Sequence, residues 1–406
     1  MIMTNRQLAL RSSNGGGAIN LNPDKIFFWV LFVFIALSSH IRELGGLLLF
    51  AFLVAELFYI AVTRSWAFYL APAAFTVLGL LYVLFSYVDV LPHAWARFYV
   101  PLTIPQQASF VAILYPSILA GRRLWTFFLA DKPSMPWRIF ALSFSGAVLS
   151  QIAAPSFIAA DWHNFYLPPG NAGFFLYLGV FYFLLFPSNV TTFCVSLGIV
   201  LGGIVLAPEL QTKLLLLLAV ALVITPWPRL VVAGWCATLV AMYLYAFFNP
   251  VQIWNIDVNS GIRAIFARDA VEALWQTGGL GVGFGKEAIK NIYPIIGHTH
   301  TNWETKFDGF VMISVHNSFT AIFYRLGLLG GLLFAWIVIF MAFPSKMKNL
   351  NDEKYFSFLF AVLFIALFVN VGLESPTYSP IVTFGLGILI CVRERISLPS
   401  RVGQLW

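Results

Sequence analysis

Apolar residues run through this chain in long unbroken stretches, without the strand alternation or one-sided helical stripe of a water-soluble fold. A helix needs about 20 apolar residues to cross bilayer hydrocarbon. Runs of that kind fall at 26–40, 44–63, 66–88, 102–121, 137–159, 173–187, 189–207, 213–228, 229–248, 317–342, 356–374 and 379–393. The pattern predicts an all-α integral membrane protein with about twelve transmembrane helices. Proline-containing junctions, Pro187-Ser188 and Pro226-Trp227-Pro228, separate closely spaced runs. The chain divides into a polar, Gly-rich tail (1–25), nine spans (26–248), a long loop (249–315), three spans (316–393) and a short C-terminal tail (394–406).

Composition strengthens this reading. Of 406 residues, 60% are hydrophobic and 10% charged, and the mean hydropathy is +0.84. A soluble domain carries roughly 25% charged residues, and no soluble fold of this size hides so much apolar surface. The net charge of +7 is spread over short loops, so no basic face for nucleic acid forms. Cys194, Cys236 and Cys391 fall inside apolar stretches, where neither a disulfide nor redox chemistry is expected. The tail before Lys25 shows no cleavage site and is expected to stay on as a cytoplasmic segment.

Lys/Arg bias in short loops orients the spans. With the N-terminus inside, the cytoplasmic segments hold Arg64, Arg122, Arg123, Arg229, Lys346, Lys348, Lys354 and Arg393, among others. Both termini then lie in the cytoplasm, and the 249–315 loop faces outward. Connectors this long are functional or disordered. Trp254, Phe266, Trp275, Phe284, Tyr293, Trp303 and Phe307 argue against disorder.

The loop carries most of the candidate chemistry. Ser260-Gly261-Ile262-Arg263 reads as the start of a helix running to about Thr277, with Ser260 as N-cap. Ile262, Ile265, Phe266, Leu274 and Trp275 recur on one side, and Arg268, Asp269 and Glu272 on the other, as in an amphipathic helix at a membrane surface. Gly278 to Gly285 holds five glycines in eight residues, which permits a tight turn close to another group. Arg263 near a helix N-terminus suits an anion such as phosphate; the plainer alternative is that Arg263 and Arg268 face water or lipid headgroups. His298 and His300, followed by Trp303, Glu304 and Asp308, match no metal-site spacing, so no metal is expected. His316 leads into the tenth span, where it suits either a general base or a capping role. Glu56 and Arg325 are intramembrane charges, which are costly and usually functional. Arg325, nine residues beyond His316, falls on the opposite side of an ideal helix; Glu56 and Glu374 are its candidate partners.

His316-Asn317, nine residues, Gly327, two residues and Gly330 resemble the signature of bacterial O-antigen ligases. That superfamily includes O-antigen and exopolysaccharide polymerases. Ser260-Gly261-Ile262-Arg263 with Gly281-Val282-Gly283 is similar to the family's Arg, helix and GxG turn, and the spacing from Arg268 to Gly279 resembles the polymerases. The likeness covers roughly 255–340. Arg325 stands where many members carry Glu, and an Arg followed four positions later by Leu is missing from the outer loop.

The resemblance implies a GT-C-like inverting glycosyltransferase of the bacterial inner membrane, active on the periplasmic face. It would move a glycan from undecaprenyl diphosphate to lipid A–core (ligase) or to another lipid-linked glycan (polymerase), without metal, nucleotide or other cofactor. Arg263 and Arg268 would hold the diphosphate, and His316 would orient or deprotonate the acceptor hydroxyl. Asn317, Gly281, Gly283 and Arg325 would line the substrate site, with membrane lipids as the remaining partners. The competing class is a multi-span transporter or flippase; no repeat between the chain's halves supports it.

Overall fold

The computed structural model describes residues 70–92, 104–124, 171–206, 210–286, 317–369, 373 and 379–397. Expected spans at 26–40, 44–63 and 137–159 lie outside them. The described residues form helices and no strand. In chain order these are α1 (Leu70–Tyr87), α2 (Ile104–Leu124), α3 (Asn171–Leu185), α4 (Val190–Leu206), α5 (Leu210–Ile224), α6 (Pro228–Phe248), α7 (Pro250–Ile256), α8 (Val258–Gln276), α9 (Ser318–Ala335), α10 (Leu350–Phe368) and α11 (Ser379–Ser397). A π-helical segment, Trp336–Met341, continues α9.

Among the described residues three helices are long and apolar enough to cross a membrane: α1, α6 and α9 with its π-helical extension. The surfaces of α1 and α6 carry exposed Val77, Leu80, Leu84, Leu230, Met242 and Leu244. Such outward-facing apolar surface is stable only where hydrocarbon replaces water. The protein is therefore a helical membrane protein.

Helix α10 sits at the centre and packs on α3, α5, α6, α9 and α11. Residues 353–365 of it are buried without interruption, which follows from an apolar surface on all sides. Its start was expected near 356. It begins six residues earlier, because Asn349 accepts a hydrogen bond from the Asn351 N–H at 3.0 Å and caps a polar first turn. Helices α2 and α11 lie closest together. A Cβ on Gly387 would stand 2.2 Å from the Ile118 carbonyl oxygen, so glycine lets the two backbones meet.

Polar ties gather at one end of the bundle. Glu353 accepts from Arg229 Nε at 3.0 Å and from the Met347 N–H at 2.9 Å. Lys354 Nζ donates to the Val223 carbonyl at 2.5 Å, and Arg393 Nη1 to the Phe343 carbonyl at 3.2 Å. Glu353 and Lys354 join the start of α10 to the start of α6 and the end of α5, and Arg393 joins the end of α11 to the chain just past the π-helical segment. The cations concerned belong to the set that charge bias expects in the cytoplasm. The candidate site lies at the other end.

Candidate functional site

Helix α6 ends at Phe248, and Pro250 opens the short α7 that leads into α8. The N-cap of α8 is Asp257, not Ser260: its carboxylate accepts from the Ser260 N–H at 3.0 Å and from the Ser260 hydroxyl. Ser260 therefore lies inside the first turn. A carboxylate at this place also complements the positive end of the helix dipole. Gly261 marks the contact between α7 and α8, because a Cβ there would stand 2.5 Å from Trp254 Cα.

The inner side of α8 is Ala264, Ile265, Phe266, Ala267, Ala270 and Ala273, all buried, and the helix packs on α6, α7 and α9. Much of its apolar face thus meets protein rather than lipid. Trp275 is 79% exposed. Asp269, expected on the polar side, is 1% exposed. Arg263 is half-buried and Arg268 exposed. Five residues turn a helix through about 500°, leaving the two side chains about 140° apart, so α8 does not present both arginines on one face. Burial lowers the Arg263 pKa, and the Asp257 carboxylate pushes it back up.

The glycine-rich turn forms a strap whose successive N–H groups bond to four helices. The Gly281 N–H donates to Thr277 Oγ1, just past the end of α8, at 3.1 Å. Those of Val282 and Gly283 donate to the Tyr324 and Arg325 carbonyls of α9 at 2.9 and 3.0 Å. That of Phe284 donates to Ser86 Oγ of α1 at 2.8 Å. That of Gly285 donates to Gln107 Oε1 of α2 at 2.6 Å. Helix α9 is broken to receive the strap: Gly327 has φ 68° and ψ −169°. The Leu328 N–H turns outward to the Gly279 carbonyl at 2.9 Å. Strap and broken helix supply each other's missing partners.

Gly281 and Gly283 are therefore buried, with their N–H groups already bonded within the chain. They shape the site by close approach. Arg325 is 0% exposed; its Nη1 donates to the Gly283 carbonyl at 3.3 Å. Its guanidinium carbon lies 5.9 Å from the Phe284 ring centre and 5.5 Å from that of Tyr324. The possible partners Glu56 and Glu374 lie outside the described residues.

Asn317 stands at the start of α9 as its N-cap, accepting from the Thr320 N–H at 2.9 Å. Its Nδ2 donates to the Phe368 carbonyl at the end of α10 at 2.7 Å. Ser318 Oγ accepts from the Leu373 N–H at 3.1 Å. The end of α10 and the chain just beyond it are thereby tied to Asn317 and Ser318, the two residues following His316. His316 itself, like His298, His300, Trp303, Glu304 and Asp308, lies outside the described residues. Among the described residues no cluster of His, Cys, Asp or Glu has the makings of a metal site.

The sequence reading passed over Lys286, Asp89, Ser86 and Gln107. Lys286 is fully buried. It pairs with Asp89 at 3.2 Å and donates to the Leu91 and Pro92 carbonyls at 2.8 and 3.4 Å. Burial lowers its pKa, and the bond and charge of Asp89 offset part of the shift. The one signal was a lone cation closing a glycine and apolar run. No family model, curated protein or solved structure matches the chain.

Proposed function

We propose that the protein is a GT-C-like inverting glycosyltransferase of about twelve spans in the bacterial inner membrane, working on the periplasmic face as an O-antigen ligase. The donor is a glycan on undecaprenyl diphosphate, and the acceptor a sugar hydroxyl of lipid A–core. The observation that supports this best is the joining of the two motif segments: the strap after the Arg263 helix is sewn to α9, the helix that His316-Asn317 opens.

In the proposed step the acceptor oxygen attacks the anomeric carbon from the side opposite the diphosphate. The sugar–oxygen bond breaks, and undecaprenyl diphosphate leaves with the electron pair. Arg263 binds the leaving diphosphate and offsets its growing charge. Arg268, on a different side of α8, adds positive charge from its exposed position. The hydroxyl proton passes to His316 as general base, while the Asn317 cap sets the direction in which the chain enters α9. A ready leaving group makes metal and nucleotide unnecessary. The spacing from Arg268 to Gly279 favours a second reading, polymerase, in which the acceptor is another lipid-linked glycan.

The test is transfer by purified protein in detergent, given undecaprenyl-diphosphate glycan and lipid A–core without nucleotide or metal. A shifted lipid A–core band, lost in Arg263→Ala and His316→Ala variants that still insert, is the expected result. Lengthening of the lipid-linked glycan alone would mean polymerase. Wild-type activity in the inserted double variant would overturn the site. No transfer with any donor would return transport to the front.

A further inference from the structure

We propose that Arg325 is a positioning residue, which locks the strap to the broken helix α9 in one register and so sets where α8 and Arg263 stand. For its effect on catalysis this rests on the transferase reading; for the register itself it rests on geometry alone. A charge inside an apolar helix is costly and calls for a role. With no exposed surface, the guanidinium has no face to offer a substrate.

Among the described residues it holds Gly283 of the strap, from both directions. Gly283 donates its N–H to the Arg325 carbonyl at 3.0 Å, and Arg325 Nη1 donates to the Gly283 carbonyl at 3.3 Å. The Phe284 and Tyr324 rings flank the guanidinium within about 6 Å, a distance at which a cation is attracted to a ring.

The clasp sits two residues before the break at Gly327. In an unbroken helix the Tyr324 and Arg325 carbonyls would accept from residues 328 and 329. The strap replaces those donors, so main-chain bonding alone would let it slide by a residue and still find carbonyls. On the α9 side the guanidinium removes that freedom, because its reach selects the Gly283 carbonyl, as Ser86 and Gln107 do toward α1 and α2. Only four residues lie between Gln276, the end of α8, and Gly281. A slip of the strap is passed directly to α8 and to Arg263.

The experiment compares wild type, Arg325→Met and Arg325→Lys in lipid nanodiscs. Backbone hydrogen exchange is followed in peptides covering the strap and the central helix α10, and donor and acceptor KM are measured in the transfer assay. In Arg325→Met the strap amides should exchange about tenfold faster while α10 keeps its rates. Donor KM should rise by about tenfold at unchanged acceptor KM. Lysine reaches one carbonyl but lacks the planar contact with the rings, so it should restore part of both. Unchanged strap exchange, or parallel acceleration in α10, overturns the proposal. If Arg325→Met does not insert, Arg325→Lys decides: about threefold faster strap exchange is expected, and equality with wild type refutes it. A wild-type protein that transfers nothing defeats the transferase reading, while the exchange comparison still rules on Arg325.

Discussion

Replacing Gly281 by alanine tests the central claim about the strap, with Gly278→Ala as its control. Both glycines have positive φ, +77° at Gly281 and +61° at Gly278. That conformation alone costs an alanine about 1–2 kcal/mol. Their surroundings differ. A Cβ on Gly278 meets nothing within 4 Å, whereas one on Gly281 would stand 2.5 Å from the Gly327 nitrogen and 2.8 and 2.9 Å from the Arg325 and Tyr324 carbonyl oxygens. All three are backbone atoms, so no side chain can swing aside. The strap must back away, and the Val282 and Gly283 bonds to α9 lengthen or break. Each net hydrogen bond contributes about 1 kcal/mol, and a buried carbonyl left without its partner costs about 1–3 kcal/mol. Gly281→Ala should therefore lose about 4 kcal/mol and Gly278→Ala about 1–2. The gap corresponds to roughly a hundredfold in the folded-to-unfolded ratio. Unfolding titrations with a denaturing detergent in mixed micelles measure both. Equal losses at the two positions would refute the close approach. Because a Cβ on Gly327 would meet the Gly279 and Leu280 carbonyl oxygens at 2.4 and 2.5 Å, Gly281→Ala and Gly327→Ala should combine to less than their sum.

Asn317→Ala should cost about 2–3 kcal/mol, through loss of the α9 cap and of the bond to the Phe368 carbonyl; Asn317→Asp keeps the cap and should lose about half as much, which the same titration resolves. Lys286 predicts a pH dependence. Its pKa is lower folded than unfolded, so between the two values the unfolded chain binds more protons and stability rises with pH. Below the lowered pKa the burial penalty is fully present. Lys286→Gln should flatten that alkaline rise, and equal slopes in the two proteins up to pH 10.5, the ordinary lysine value, would refute the assignment.

Apart from α7, α8 and the offset α10, the apolar runs located the described helices to within a few residues, because a lipid-facing helix must be apolar along its whole length. Runs at 66–88 and 229–248 appear as Leu70–Tyr87 and Pro228–Phe248. Hydropathy misleads where a polar residue is satisfied by protein. The first turn of α10 looks like loop by hydropathy, yet Glu353 and Lys354 are buried against Arg229 and the Val223 carbonyl. The resemblance places Arg263 and Arg268 together at the diphosphate, whereas in α8 the first is half-buried and the second exposed, about 140° apart. Ser260 seemed a sound cap until Asp257, three residues earlier, took its N–H.

By itself the sequence determined that this is a helical membrane protein, that its polar residues concentrate in one long loop, and that a glycine-rich turn there must come close to something. Local composition and periodicity suffice for such statements. Only the tertiary structure decided what the turn touches. Its partners Ser86, Gln107 and Arg325 come from three different helices, at separations of 198, 178 and 42 residues. No local pattern encodes a hydrogen bond across such a distance; it appears when packing brings those helices to one end of the bundle and leaves each buried N–H a single carbonyl, hydroxyl or amide oxygen to meet.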